Sequence, residues 1–568
     1  MGRTFVRPFL FARNRIFTER LIPADRLRKL IHSQLFAECG NGRYCNRSQT
    51  KTWESNGFMK LAAIDIGSNS IHMVIAEATA QGGLEIIDRE KEMVKLGAGV
   101  FRTHQLSERA FEAGVQAVRK YVKLADSHNV DEILAVATSA TREAQNGGRF
   151  LDQIVQETGI EPRIIPGSEE SELIFLAVQQ AINLQNENAL VIDIGGGSVE
   201  FAVGNRKELL MGESTKLGVQ RLLDLVTHDG ALNADVRKIL EGHIKAMAGD
   251  ILKRAQKVGF TKIIGTSGTI RTLGEATLRM TGRDNVISVN AEVIHTKDLR
   301  KLVGKLAKLK PADRTKFSPI GIERTDTIHL GGVLLTQLLK SIKAEQMTLC
   351  DASLREGVIL DYLKRHPKID IFPSIANVRH RSVVQLARKY ERNGQREKHI
   401  AGMALEIFDQ TQKLHGLGTP ERSLLNYAAL LHSIGQYINF KSYHRHSKYI
   451  ISHAQLRGFT DEEVLLIGNI VRFHRKSEPQ KSDEIKDLSK NQRRILQILA
   501  AMLRVAVGLD RGQTQSVKQL ALEIEDKQIH IFISGKGDLE LDLWGARRLV
   551  EPLERALERK IVIEKAGD

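Results

Sequence analysis

The sequence predicts an α/β protein built from two repeated halves, followed by an all-helical region and a small α+β tail. Three observations carry this prediction. A seven-residue signature occurs twice, the order of strands and helices restarts around its second copy, and past residue 373 the pattern turns almost purely helical. The signature is Ile64-Asp65-Ile66-Gly67-Ser68-Asn69-Ser70, and it returns 128 residues later as Ile192-Asp193-Ile194-Gly195-Gly196-Gly197-Ser198.

In order along the chain, residues 1–57 carry little periodicity and are set apart as an extension, either disordered or the product of an upstream start. The first half, 58–185, reads as a strand into the first signature, a strand over Ile71 to Ala78, two more strands, a long helix after Ser107, and a strand from Glu132 to Thr138. The second half, 186–366, repeats this. A strand at Ala189 is followed by a glycine turn, strands at Val199 to Gly204 and beyond, helices, a short strand at Lys262 to Ile264, and a helix after Gly268. Two prolines in His366-Pro367-Lys368-Ile369-Asp370-Ile371-Phe372-Pro373 mark a boundary. Helices follow over 374–512. The tail, 513–568, alternates again, with strands predicted at Leu520 to Ile524, Ile529 to Ile533, Leu539 to Leu543 and Ile561 to Ile563, and a helix at Ala546 to Leu557.

Composition narrows the class. At 568 residues the chain exceeds what one core usually supports. It contains no apolar run near the roughly 20 residues of a membrane helix. Cys39, Cys45 and Cys350 make neither a disulfide framework nor metal spacing, which suits a reducing, cytoplasmic setting. The first 58 residues hold eleven Lys/Arg against four Asp/Glu, so removing them takes the formal charge from +16 to +9. The remainder still attracts polyanions. Nucleic acid is a weak choice among them, because aromatic residues are only 5% and no recognition motif appears.

Each signature ends a hydrophobic strand in a carboxylate, a glycine turn and a hydroxyl. Glycines let the backbone approach an anion, and successive N–H groups form a nest for phosphate oxygens. One such turn alone would be read as an ordinary hairpin closure. Two in equivalent frames point instead to facing loops across a cleft, with Asp65, Gly67, Ser68, Asn69 and Ser70 on one side and Gly195, Gly196, Gly197 and Ser198 on the other.

The doubled Asp-x-Gly pattern resembles the phosphate loops of the actin, sugar-kinase and heat-shock chaperone superfamily, whose halves are ribonuclease H-like. The wording of Ala63 to Ile75 and Val191 to Glu200 is similar to the exopolyphosphatase and guanosine pentaphosphate phosphohydrolase family. Thr138-Ser139-Ala140-Thr141-Arg142-Glu143-Ala144-Gln145-Asn146-Gly147, Gly265-Thr266-Ser267-Gly268-Thr269-Ile270 and Ser353-Leu354-Arg355-Glu356-Gly357 agree with that resemblance, which runs from about residue 58 to the end. It implies two ribonuclease H-like halves and a hydrolase that removes terminal phosphate from inorganic polyphosphate. The alternative is guanosine pentaphosphate; an ATP-dependent kinase or actin-like protein is a weaker one.

The resemblance places the catalytic glutamate at Glu170. Independently, Glu170 shares a helical face with Leu173, Ile174, Ala177 and Val178, whereas Glu169 turns toward Glu172. A carboxylate at the mouth of an apolar stripe has a raised pKa and can take a proton from water. Arg142 offers a forked donor to phosphate. Ser267, Gly268 and Thr269 lie where nucleotide-binding relatives contact adenosine. Mg²⁺, which favours one or two carboxylates plus phosphate oxygens, is expected at Asp193 and Glu200, with a monovalent cation as a further option. A homodimer is expected.

Between His399 and Asp510 the helical region resembles a histidine-aspartate (HD) phosphohydrolase domain: His399, His432-Ser433, His444, His446, His453 and Asp510. Ser433 stands where that motif needs an aspartate, so no working metal site is expected there. Its basic clusters His444-Arg445-His446 and Arg472, Arg475 and Lys476 have two open readings: a track for a long phosphate chain, or a solvated charged face.

Overall fold

The computed structural model describes residues 58–566, apart from 80–83, 227–229, 284–285, 366–376, 391–393, 477–478, 480–481 and 487. The predicted extension with Cys39 and Cys45, and the proline-marked boundary, lie outside the described residues.

The first sheet begins with an antiparallel meander: β1 (Phe58–Ile66), β2 (Ile71–Thr79) and β3 (Leu84–Glu92). β4 (Glu132–Ala137) and β5 (Arg163–Ile164) add in parallel on the other side of β1, giving the order β3-β2-β1-β4-β5. One strand, not two, follows β2 before the long helix. That helix, Glu108–Ser127, starts at Ser107, whose side chain accepts from Ala110 N at 3.4 Å, and it buries Phe111, Val115, Val118 and Tyr121 at helical spacing.

The second sheet holds β6 (Ala189–Ile194), β7 (Val199–Gly204), β8 (Leu209–Thr215), β9 (Lys262–Thr266), β10 (Val293–His295) and β11 (Gln346–Leu349). Its order, β10-β11-β9-β6-β7-β8, contains β8-β7-β6-β9-β11 with the same pairing senses as the first sheet; β10 is the addition. Every residue of β6 is buried, as befits a central strand covered on both faces. Asp65 pairs with His72 across β1–β2, and Asp193 with Glu200 across β6–β7. The two hairpins therefore have equal length and bring equivalent residues to one end of each sheet.

Beyond residue 377 the chain packs helices Val378–Lys389, Gln395–Gln410, Thr419–Leu431, Tyr443–His453, Asp461–Phe473 and Lys490–Gly508. A small sheet follows, β12 (Val517–Ile524) against β13 (Gln528–Gly535), with β14 (Lys560–Lys565) parallel to β13. One continuous core runs from Val383 to Ile563, so the tail closes against the helices rather than around a core of its own.

The predicted strand Leu539 to Leu543 is instead the start of helix Glu540–Arg547, followed by helix Glu551–Leu557. Leu539, Leu543 and Ala546 are buried at helical spacing while Leu541 is 52% exposed. The alternation Leu-Glu-Leu-Asp-Leu mimicked a strand; the Asp538 carboxylate, which accepts from Glu540 N at 2.8 Å, favours the helical start.

Candidate active site

Both signature turns meet at the floor of one large cleft of about 730 Å³. Each turn closes by the same bond, Gly67 N to Ser70 O (3.2 Å) in one and Gly195 N to Ser198 O (3.0 Å) in the other. They touch. A Cβ on Gly196 would come within 3.0 Å of the Ser68 Cβ, and one on Gly197 would collide with the Ser139 hydroxyl and the Phe101 ring. Glycine is required here by close approach, not by positive φ. Ser68 Oγ lies 2.9 Å from Ser139 Oγ and accepts from Ala140 N, tying the first turn to the segment after β4.

Four carboxylates gather beside the turns. Glu170 is on the first turn of helix Gly167–Ala181, Asp65 and Asp193 end β1 and β6, and Glu200 lies opposite Asp193 on β7. Burial holds Glu170 well above the ordinary carboxylate range, with Glu200 adding to the rise and Arg142 opposing it. Burial and the neighbouring Glu200 likewise raise Asp193. Burial pushes Asp65 up to about 6 and Glu200 up to about 7, the latter against the hydroxyls of Ser198 and Ser214. Glu170 Oε2 and Glu200 Oε2 are buried without a hydrogen bond. A cluster of this kind fits a cation, because crowded buried carboxylates are otherwise costly when ionised. Among the described residues no three His, Cys, Asp or Glu side chains converge to cage a metal alone.

Of the expected site residues, Glu170, Asp65, Gly67, Ser68, Asn69, Ser70, Asp193, Gly195, Gly196, Gly197, Ser198, Ser267, Gly268 and Thr269 line the cleft. Arg142 and Glu200 are not among the residues that line it. Arg142 donates to Ile165 O and lies 3.5 Å from Glu170 Oε2. Glu169 is as buried as Glu170, contrary to the helical-wheel reading; a two-pronged pair with Arg163, at 2.6 and 2.8 Å, occupies it.

Six cations, Arg89, Lys91, Arg271, Arg324, Arg355 and Arg457, also line the cleft, interspersed with the carboxylates of Glu90, Glu275, Glu323, Asp351 and Asp461. None was singled out from sequence. Arg271 and Arg355 adjoin or lie within the quoted Gly265–Ile270 and Ser353–Gly357 runs, which is the signal that would have found them. Arg457 comes from the helical region, at the segment Ser452 to Asp461 that closes the cleft, and pairs with Asp351. Asp461 accepts from Ile287 N and Ser288 N at 2.7 and 3.0 Å, holding that segment in place.

The predicted basic track does not line the cleft. His444 is buried, Arg472 is buried against Glu484 at 2.9 Å, and Arg475 stacks over Tyr443 at 5.0 Å; Arg445, His446 and Lys476 are likewise absent from the wall. His432, His444 and His474 instead form a closed cluster. The His432 and His474 rings are 5.5 Å apart, and burial with nearby arginines brings His444 down to about 4. Ser433 Oγ donates to Glu397 at 2.6 Å, and Arg396 holds the Asp510 carboxylate at 2.7 Å. His399 is also held below its usual range, mainly by burial, and His453 reaches the cleft wall.

Residues 74–366 match the Ppx/GppA phosphatase family and residues 378–542 match Ppx/GppA phosphatase, domain III. The chain belongs to the Ppx/GppA phosphatase family. A solved exopolyphosphatase from Cytophaga hutchinsonii is 28% identical, with a TM-score of 0.51 over 55% of this chain and 99% of its own. A Ppx/GppA family member from Aquifex aeolicus is 26% identical, with a TM-score of 0.47 over 55% of this chain and 99% of its own. About half of the present chain thus accounts for nearly the whole of the Cytophaga hutchinsonii structure. Among the described residues no helix is long and apolar enough to cross a membrane.

Proposed function

We propose that this Ppx/GppA phosphatase is an exopolyphosphatase that hydrolyses the terminal phosphoanhydride of inorganic polyphosphate. The observation that carries the reading is the contact of the two glycine turns beside Glu170, at the floor of a cleft that six Arg and Lys side chains also line. On this reading the sheets are duplicated ribonuclease H-like halves and the helical region is an HD-like domain without its metal site.

The turns hold the terminal phosphoryl group with backbone N–H groups and the hydroxyls of Ser68, Ser70 and Ser198. Glu170 accepts a proton from the attacking water, whose oxygen forms a bond to phosphorus as the bridging P–O bond breaks. Orthophosphate leaves and the chain is one unit shorter. Arg142, 3.5 Å from Glu170 Oε2, orients the carboxylate and limits the rise in its pKa. Asp193, with Glu200 beside it, would hold Mg²⁺, which when bound supplies charge compensation at the phosphoryl oxygens.

Polymer is favoured over guanosine pentaphosphate by the cations along the cleft, which suit an extended polyanion. A Cβ on Gly268 would run into the Arg324 guanidinium, so one of these cations packs against the Ser267–Thr269 turn. Phosphate release from long polyphosphate and from guanosine pentaphosphate, measured side by side with Mg²⁺, tests this. Preference for the polymer in kcat/KM is expected; preference for the nucleotide would reverse the assignment.

A further inference from the structure

Three successive residues hold three successive carbonyls of the second glycine turn. Val219 N donates to Gly195 O at 3.1 Å, Gln220 N to Gly196 O at 2.8 Å, and Arg221 Nε to Gly197 O at 2.5 Å. In a trans peptide the N–H points opposite to the C=O. Anchoring these carbonyls on one side therefore turns the N–H groups of Gly196, Gly197 and Ser198 to the other, and among the described residues none of the three finds an acceptor. That is the form of an anion nest.

Two of the three anchors are backbone and lie beyond mutation. The third is a side chain. The first half of the molecule fixes it: Arg221 Nη2 donates to Glu143 Oε1, whose other oxygen is 3.2 Å from Lys216 Nζ, and the guanidinium carbon sits 3.8 Å from the centre of the Phe101 ring. The side chain is 13% exposed. In the first turn the corresponding work is done by backbone alone, with Gly97 N and Lys95 N donating to Ser68 O and Asn69 O at 2.6 and 2.8 Å.

We propose that Arg221 is a positioning residue: it orients the Gly197–Ser198 peptide toward the bound phosphoryl group and couples that orientation to the first half through Glu143 and Phe101. The inference rests on the reading that the two turns hold phosphate. Lysine keeps the charge but cannot contact the Gly197 carbonyl and Glu143 through a planar fork. A misdirected donor costs rate more than it costs binding, because it is needed most where charge develops.

The test compares wild type, Arg221→Lys and Arg221→Ala in the full chain, by steady-state kinetics on tripolyphosphate and by the amide shift of Ser198 as inorganic phosphate is titrated. For Arg221→Lys, kcat is expected to fall about 10- to 100-fold with KM changed less than threefold, and the Ser198 response to shrink. Guanidinium added to Arg221→Ala restores part of the rate. Wild-type kcat and an unchanged Ser198 response in Arg221→Lys would overturn the proposal, as would a drop in melting temperature with kcat per folded molecule unaltered. Should wild type release phosphate from neither polyphosphate nor guanosine pentaphosphate, the proposed activity fails, while the amide titration still decides the role of Arg221.

Discussion

Among the described residues, a cluster of buried carboxylates and a cluster of buried imidazoles differ in what surrounds them. The carboxylates Asp65, Glu170 and Asp193 line a cleft of about 730 Å³ with Glu200 close by, and Glu170 Oε2 and Glu200 Oε2 lack hydrogen bonds. The imidazoles His432, His444 and His474 are packed inside the helical region, on which Ser433 is taken up by Glu397 and Asp510 by Arg396. The residues of a motif persist in both places. His444 Nδ1 too lacks a hydrogen bond, so what sets the first apart, among the described residues, is the cleft beside it.

The largest expected contrast is in turnover. Glu170→Gln should lower phosphate release about 10²- to 10⁴-fold, the range for loss of a general base, while His444→Gln leaves it within about twofold. A comparable loss from both would dissolve the distinction. Next in size, Asp193→Asn should reduce kcat on the order of 10- to 1000-fold and raise the Mg²⁺ concentration needed for half-maximal rate, read from a Mg²⁺ titration.

The two clusters should also respond to pH with opposite signs. Asp65 and Glu200 titrate at about 6 and about 7 in the folded state, above their ordinary values of 3.8 and 4.5. Their contribution to stability is complete below the lower values and is lost as pH rises through about 7. His444 titrates at about 4 instead of 6.5, so its contribution is complete above 6.5 and is lost as pH falls through about 4. Urea midpoints followed across this range, without metal, should flatten on the alkaline side in Glu200→Gln and on the acid side in His444→Gln. The smallest effect belongs to the surface near the closed cluster: Arg475→Ala with Lys476→Ala should leave turnover of long polyphosphate within about twofold, and a tenfold loss would return the track to consideration.

What the sequence makes legible follows the same division. Asp65, Asp193 and the glycines announce themselves because a strand running into a phosphate turn constrains residue type at consecutive positions. Glu170 stands out less clearly, since Glu169 is equally buried and only its partner Arg163, six residues away, separates their roles. The cations of the cleft are illegible by spacing: Lys91 is on β3, Arg324 on a short turn and Arg457 in the helical region, and the fold alone brings them to one cleft. Leu539 to Leu543 shows the converse, a two-residue alternation that a helix satisfies equally well once Leu541 is left to solvent.

A crystal of Glu170→Gln soaked with polyphosphate and Mg²⁺ examines the central claim most directly. The terminal phosphoryl group is predicted between Gly67–Ser70 and Gly195–Ser198, within hydrogen-bond reach of both turns, with the rest of the chain running toward Arg271, Arg324 and Arg355. An anion bound at the His432–His474 cluster, or anywhere that leaves the two turns without phosphate, would contradict it.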